Sequence, residues 1–320
     1  MNDKNSTPDI YIRHSGRLDQ VGICLGKLFR MFVYQNDWKV LPMAAIIAGL
    51  VCFAAGRYLF VTMEGTLTGS FALSCVCIWN GLFNSVQVVC RERQILKREH
   101  RAGLHISSYV TSHMIYQAVL CILQSLITVG MCNLLRMPFP KAGIITPWFM
   151  LDFGITLFLI TYSADMLALL VSSFVHSTTA AMTVMPFVLI IQLVFSGAFF
   201  QLEGFAKKIT SFTISKWGLS CICAQGGYND LPMVSVWNSL VKIQALTIDG
   251  YQPLSPVLLK IQSEGLVNDL ELECGKYNAV AEYATTPENI FTCWLYLALF
   301  SLVFALISVI CLEFIDRDHR

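Results

Sequence analysis

Four stretches of this chain carry no Asp, Glu, Lys or Arg: residues 65–90, 102–135, 166–202 and 289–312. Each is longer than the roughly 20 apolar residues that cross a bilayer core of about 30 Å. Inside lipid the backbone must satisfy its own hydrogen bonds, which a helix does within a single segment. Two further runs are shorter or interrupted. Val40 to Gly56 is flanked by Lys39 and Arg57, which can snorkel toward water. Ile144 to Val175 is apolar apart from Asp152 and Asp165, and "SSFVHSTTAA" supplies a turn before the next run. The expectation is an all-α integral membrane protein with six transmembrane helices, near 40–61, 67–90, 107–134, 147–172, 178–200 and 288–313. A mean hydropathy of +0.60 and 13% charged residues agree with that class.

The sign of the loops sets an orientation. Lys4, Arg13, Arg17, Lys27, Arg30 and Lys39 precede the first helix, and Arg91, Arg93, Lys97, Arg98 and Arg101 lie in one loop. Arg317 and Arg320 close the chain, whereas the other side holds Arg57, Arg136 and Lys141. Both termini are therefore expected in the cytoplasm, and the net charge of +1 reflects sidedness rather than nucleic-acid binding. The first 38 residues lack the continuous apolar core of a cleavable signal peptide. Residues 1–38 read as a cytoplasmic segment containing an interfacial amphipathic helix. Leu18, Val21, Leu25, Leu28, Phe29 and Phe32 lie on one face and Asp19, Gln20, Lys27 and Arg30 on the other. Residues 39–200 hold helices one to five, 201–287 an extracytoplasmic segment, and 288–320 helix six with its tail.

No enzyme signature is present. The sequence has no H-E-x-x-H zinc motif and no G-x-S-x-G elbow, and Gly26-Lys27 and Gly275-Lys276 lack the context of a phosphate loop. Cys75 and Cys77, two apart on a helix, point to different faces and cannot chelate one metal together. Most of the twelve cysteines lie in or beside spans as small apolar residues; Cys221, Cys223 and Cys274 fall in the outer segment, where one disulfide is possible. Asp152 sits near the N-terminus of the fourth span, where the helix dipole favours an anion. Asp165 is placed near the cytoplasmic boundary, suited to interhelical hydrogen bonding or a proton relay. Asn80, Asn84 and Gln87 share one face of helix two, which must meet protein or a water-accessible cavity.

One charged block remains, "FNSVQVVCRERQILKREHRAGLHISSY", and it resembles the second-helix and first-loop region of ABC transporter permeases of the G subfamily. The matching positions are Glu92, Arg98-Glu99, Gly103 and Ser107-Ser108-Tyr109. A second stretch, "VFSGAFFQLEGFAKKITSFTISKWG", is similar to that family's helix-five end and re-entrant segment, through Phe195-Ser196-Gly197 and Ser215-Lys216-Trp217-Gly218. The resemblance covers most of residues 16 to 314, and beyond about 225 no motif of the outer segment can be matched.

The resemblance implies that the loop at 91–106 forms a coupling helix docking on an ATP-binding subunit, with Glu92, Arg93, Lys97, Arg98 and Glu99 as contacts. It implies a translocation path between two permease copies, lined by Asn80, Asn84, Gln87, Leu189, Ile190 and Leu193. An apolar outer gate would comprise Ala198, Phe199 and Phe200. Gln87 stands where the family often has a buried acid, and Trp79 and Phe83 are out of register with its aromatic clamp. The implied function is an exporter subunit in a bacterial plasma membrane, moving an amphipathic or hydrophobic lipid, peptide or drug. It would bind no cofactor, leaving ATP and magnesium to the partner, and would pair with a second copy or a paralogue in membrane lipid. A membrane sensor or scaffold that binds a ligand through its outer segment is the alternative, and a neighbouring gene encoding an ATPase would discriminate the two.

The basic asymmetry predicts that cysteines engineered between 230 and 280 react with an impermeant maleimide added outside intact cells. Those engineered between 93 and 101 should react only after permeabilisation, and labelling of that block from outside would reverse the orientation.

Overall fold

The computed structural model describes residues 16–34, 37–198, 204–248 and 250–314. Seven helices come first: α1 (Arg17–Tyr34), α2 (Val40–Ala55), α3 (Met63–Ser85), α4 (Val88–Arg101), α5 (Ile106–Leu134), α6 (Phe149–Phe174) and α7 (Thr178–Val194). They are followed by α8 (Gly204–Thr210), α9 (Ile214–Gln225), α10 (Val234–Lys242), α11 (Leu254–Ser263), α12 (Val267–Tyr277) and α13 (Pro287–Glu313). Four stretches are long and apolar enough to cross a membrane: 63–101 (α3 with α4), α5, α6 and α13; α2 and α7 are shorter apolar helices. The six expected spans thus all appear as helices, two of them with 16 and 17 residues.

The central pair is α3 with α6. A Cβ added at Gly81 would lie 2.2 Å from the Thr161 carbonyl oxygen and 2.9 Å from Ala164 Cβ. Glycine therefore brings the two backbones close, the usual way of gaining van der Waals contact where lipid supplies no hydrophobic drive. Leu73, Ile78 and Leu82 fill the core with Leu157, Ile160 and Ala164. Beside them, Phe60, Phe139, Phe149 and Phe153 form an edge-and-stack cluster. Asp152 organises this end of α6: its buried carboxylate accepts backbone N–H groups of Ile144 and Ile145 at 3.0 Å and of Thr146 at 3.1 Å. The loop before α6 is thereby folded over the first turn of the helix.

Several expectations are corrected. The helix that the resemblance implied at 91–106 is present with other bounds, 88–101, offset from α3 only at Val86 and Gln87; a turn with Gly103 at φ 105° ends it. On α1 the inward residues include Gln20, whose side chain accepts from His105 N at 2.9 Å and donates to the Gly103 carbonyl at 3.1 Å. Leu18, on the apolar face of the expected interfacial helix, is 86% exposed, and Ile23 and Val33, not assigned to that face, are exposed in large part too. The helix grips the α4–α5 turn with a polar side chain and leaves apolar ones outside. Cys221 and Cys223 are buried in α9 within the bundle, Cys274 is on α12, and all twelve cysteines are free thiols.

The stretch that resembles the family's re-entrant segment forms α8 and α9 beyond the undescribed residues, with Gln192 of α7 capping α9 through N–H groups of Ile214 and Ser215 at 2.9 and 3.2 Å. Gly218 packs against Ile160, and Trp217 stacks on Tyr296 of α13 at 4.0 Å. The segment after α9, for which the sequence supplied no fold, is a small helical layer of α10, α11 and α12. Glu64, at the start of α3, accepts from the N–H groups of Ser235 and Val234 at 2.8 and 3.4 Å and so fastens α10 to the bundle.

Replacing Asp152 with Ala strands three backbone donors and should lower stability by at least about 2 kcal/mol. Asp152→Asn, which keeps an acceptor oxygen, should lose less. Gly81→Val should cost about as much through overpacking. Thermal unfolding of detergent-purified protein, followed by fluorescence, measures all three.

Candidate functional site

Two features can carry function: a polar seam inside the bundle and the hydrated helix α4. The seam begins with the three amides of α3. Asn84 and Gln124 of α5 exchange two hydrogen bonds, Nδ2 to Oε1 at 3.0 Å and Nε2 to Oδ1 at 2.9 Å. Asn80 is 6% exposed, one turn away. Gln87 stands at the break between α3 and α4 and lines an internal cavity. The amide face therefore meets α5 of the same chain at Asn84, while Gln87 is exposed.

The seam continues through α5. Gln117 Nε2 donates to Ser85 Oγ at 2.8 Å, and the Cys121 thiol lies 3.8 Å from an Asp165 oxygen. Asp165 is fully buried, an acid held between three helices. Sequence reading selected the α3 amides but missed their partners. The signal was there: His113, Gln117, Gln124 and Thr128 recur at helical spacing within a charge-free run, so α5 carries a polar stripe of its own.

Helix α4 is held at two points. Its first free N–H groups, at Val89 and Cys90, donate to Ser172 Oγ at 3.1 and 3.2 Å. Arg93 donates to the Ser173 and Val175 carbonyls at 3.1 and 3.3 Å, covering the carbonyl end of α6. Val89, Glu92 and Leu96 form the buried face, and Glu92 meets Lys27 of α1 at 3.5 Å. The opposite face presents Arg91, Gln94, Ile95 and Arg98 to solvent, with Lys97 and Glu99 half-buried beside it. Of the five charged residues singled out, Glu92 and Arg93 thus face the protein, and Arg98 faces outward most fully.

The remaining candidates divide similarly. On α7, Leu189 is 8% exposed and packs in the core, Ile190 points out of the bundle, and Leu193 lies between. Ala198 is half-buried against the cluster of Met63 and Leu219. Phe199 and Phe200 lie outside the described residues.

A double-mutant cycle tests the seam. Asn84→Leu and Gln124→Leu should each destabilise the protein, and the double variant by less than their sum. The coupling should be roughly 1–2 kcal/mol for two interhelical bonds in a bilayer setting. Additive losses in thermal unfolding would mean that the two amides do not act as a pair.

A family model described as ABC-2 family transporter protein matches residues 61–310, from just before α3 into α13. No curated protein matches the chain. The matched region takes in the polar seam, α4, α8 and α9, and it exceeds half of the 320 residues. The chain is therefore an integral membrane permease belonging to the ABC-2 family of transporter proteins.

Proposed function

We propose that this chain is the permease subunit of an ATP-driven exporter in a bacterial plasma membrane, dimeric, with both termini cytoplasmic. Family membership implies an ATP-binding subunit as partner, and ATP and magnesium would be bound there. All six apolar helices span the membrane in this reading. At about 1.5 Å per residue, α2 and α7 reach only about 24–26 Å, so they thin the bilayer locally or rely on flanking polar residues. Helix α1 lies in the interface with Leu18, Ile23 and Val33 toward lipid.

The observation that carries the proposal is the construction of α4. A helix with a hydrated outer face, bonded by Ser172 and Arg93 to the end of α6 and by Glu92 to α1, suits transmission of force from a docked subunit into the spans. Within the set of five, Lys97, Arg98 and Glu99 would touch the ATPase, while Glu92 and Arg93 hold the lever to the bundle. Ile95 and Gln94 join the docking face. Asn80, Asn84 and Leu189 act from behind the translocation path, with Gln87, Ile190 and Leu193 on its open side. Ala198, Phe199 and Phe200 form its outer gate. The substrate is an amphipathic or hydrophobic molecule, matching a path of amides and aliphatic side chains.

Charge reversal at the outward positions tests this. Arg98→Glu and Glu99→Lys should leave insertion and dimerisation intact while co-purification with the ATPase subunit, or transport in vesicles, falls at least about tenfold, or about 1.4 kcal/mol. Parental transport with the partner fully bound in both variants would remove α4 from the coupling role.

A further inference from the structure

A cavity of about 260 Å³ lies beneath α1, between the cytoplasmic end of α3 and α5. Its walls are mostly apolar: Leu28 of α1, Val86 and Phe83 of α3, Leu120 of α5 and Met182 of α7. At one end stand Arg91 and Glu92, the latter paired with Lys27 of α1 at 3.5 Å. Deeper in, α5 turns His113 and Gln117 toward the space, one helical turn apart.

Those two side chains are unsatisfied. His113 is 2% exposed and neither ring nitrogen has a hydrogen-bond partner. Gln117 is 1% exposed; its Nε2 is used by Ser85, while Oε1 has no donor. Leaving a buried polar group unmatched is costly, so the arrangement calls for a guest. The atoms specify it. The amide oxygen needs a donor, and a neutral imidazole offers one donor and one acceptor. A hydroxyl does both, donating once and accepting twice. A carboxylate or phosphate cannot donate to Gln117 when ionised. Water alone suits the two polar groups but leaves the apolar walls unfilled.

We propose that this cavity is a binding site for a neutral amphiphile bearing hydroxyl groups, such as a single-chain glycerol lipid. Its hydroxyls reach His113 and Gln117, and its chain lies along Leu28, Phe83 and Leu120. The volume falls just under the range of about 300–1,000 Å³ for drug-sized ligands, so it admits one chain and not a two-chain phospholipid. The site lies within one chain, behind the amide pair of α3, with α1 as its lid. It requires neither a dimer nor an ATPase, and it shares Asn84 and Gln87 with the path of the exporter reading.

Photolabelling tests it. The full chain in nanodiscs is exposed to a monoacylglycerol carrying a diazirine in its acyl chain, and labelled peptides are mapped by mass spectrometry. Labelling should fall on α1, α3 and α5 around Leu28, Phe83 and Leu120. Unlabelled monoacylglycerol should compete, and an alkane of equal length should not. Gln117→Leu and His113→Phe should each weaken labelling by at least about tenfold, equivalent to about 1.4 kcal/mol. Met182→Trp, which fills the cavity from a 38% exposed position, should abolish it without touching the polar pair. Labelling that matches the level at the lipid-facing Leu126, or that ignores all three substitutions, or that the alkane competes equally well, overturns the proposal. Loss of ATPase co-purification would leave these results unchanged, so the two readings fail separately.

Discussion

A polar group carried into a bilayer has no water to return to, and this fold is arranged around finding such groups a protein partner. Asn84 finds Gln124, Gln117 finds Ser85, and the Asp152 carboxylate takes up three backbone donors of its own loop. Because the partners sit on different helices, each pairing also fixes a rotation and a depth. Close approach of α3 and α6 at Gly81 then locks the pair that the other helices build upon. Apolar packing alone would leave these helices free to rotate, since lipid tails are as oily as Leu side chains.

The same need governs the edge of the bundle where α6 ends. A helix end exposes carbonyls, and at α6 they are covered by Arg93, while the starting N–H groups of α4 go to Ser172. Two helix termini thus satisfy one another, and α4 becomes a rigid continuation of the bundle. Gln20 performs a similar service at the other end of α4, bonding both sides of the turn at Gly103. Motion imposed on the outer face of α4 therefore has direct covalent and hydrogen-bonded routes to α1, α5 and α6.

Membrane class and the six apolar helices were legible from charge-free runs, because removal from water filters residue types over lengths of twenty or more, while a helix near α4 was implied by the family resemblance of the charged block. Boundaries were less so: α2 and α7 end six residues short of the expected limits of 61 and 200, as Ala55 and Val194 show. Helix-capping groups such as Ser172 and Gln192 left no mark in the sequence, being ordinary polar residues at span ends.

Composition and patterning determined that the chain enters lipid, where its helices lie, and that α3 carries polar side chains needing partners. They could not say which helix answers, because that depends on rotation and depth, set by contacts between residues as distant as Asn84 and Gln124. Nor could they tell Glu92 from Arg98, two charges of one block, when a turn of α4 buries the first against Lys27 and exposes the second. Sequence distinguishes residues by chemistry; only packing distinguishes them by direction.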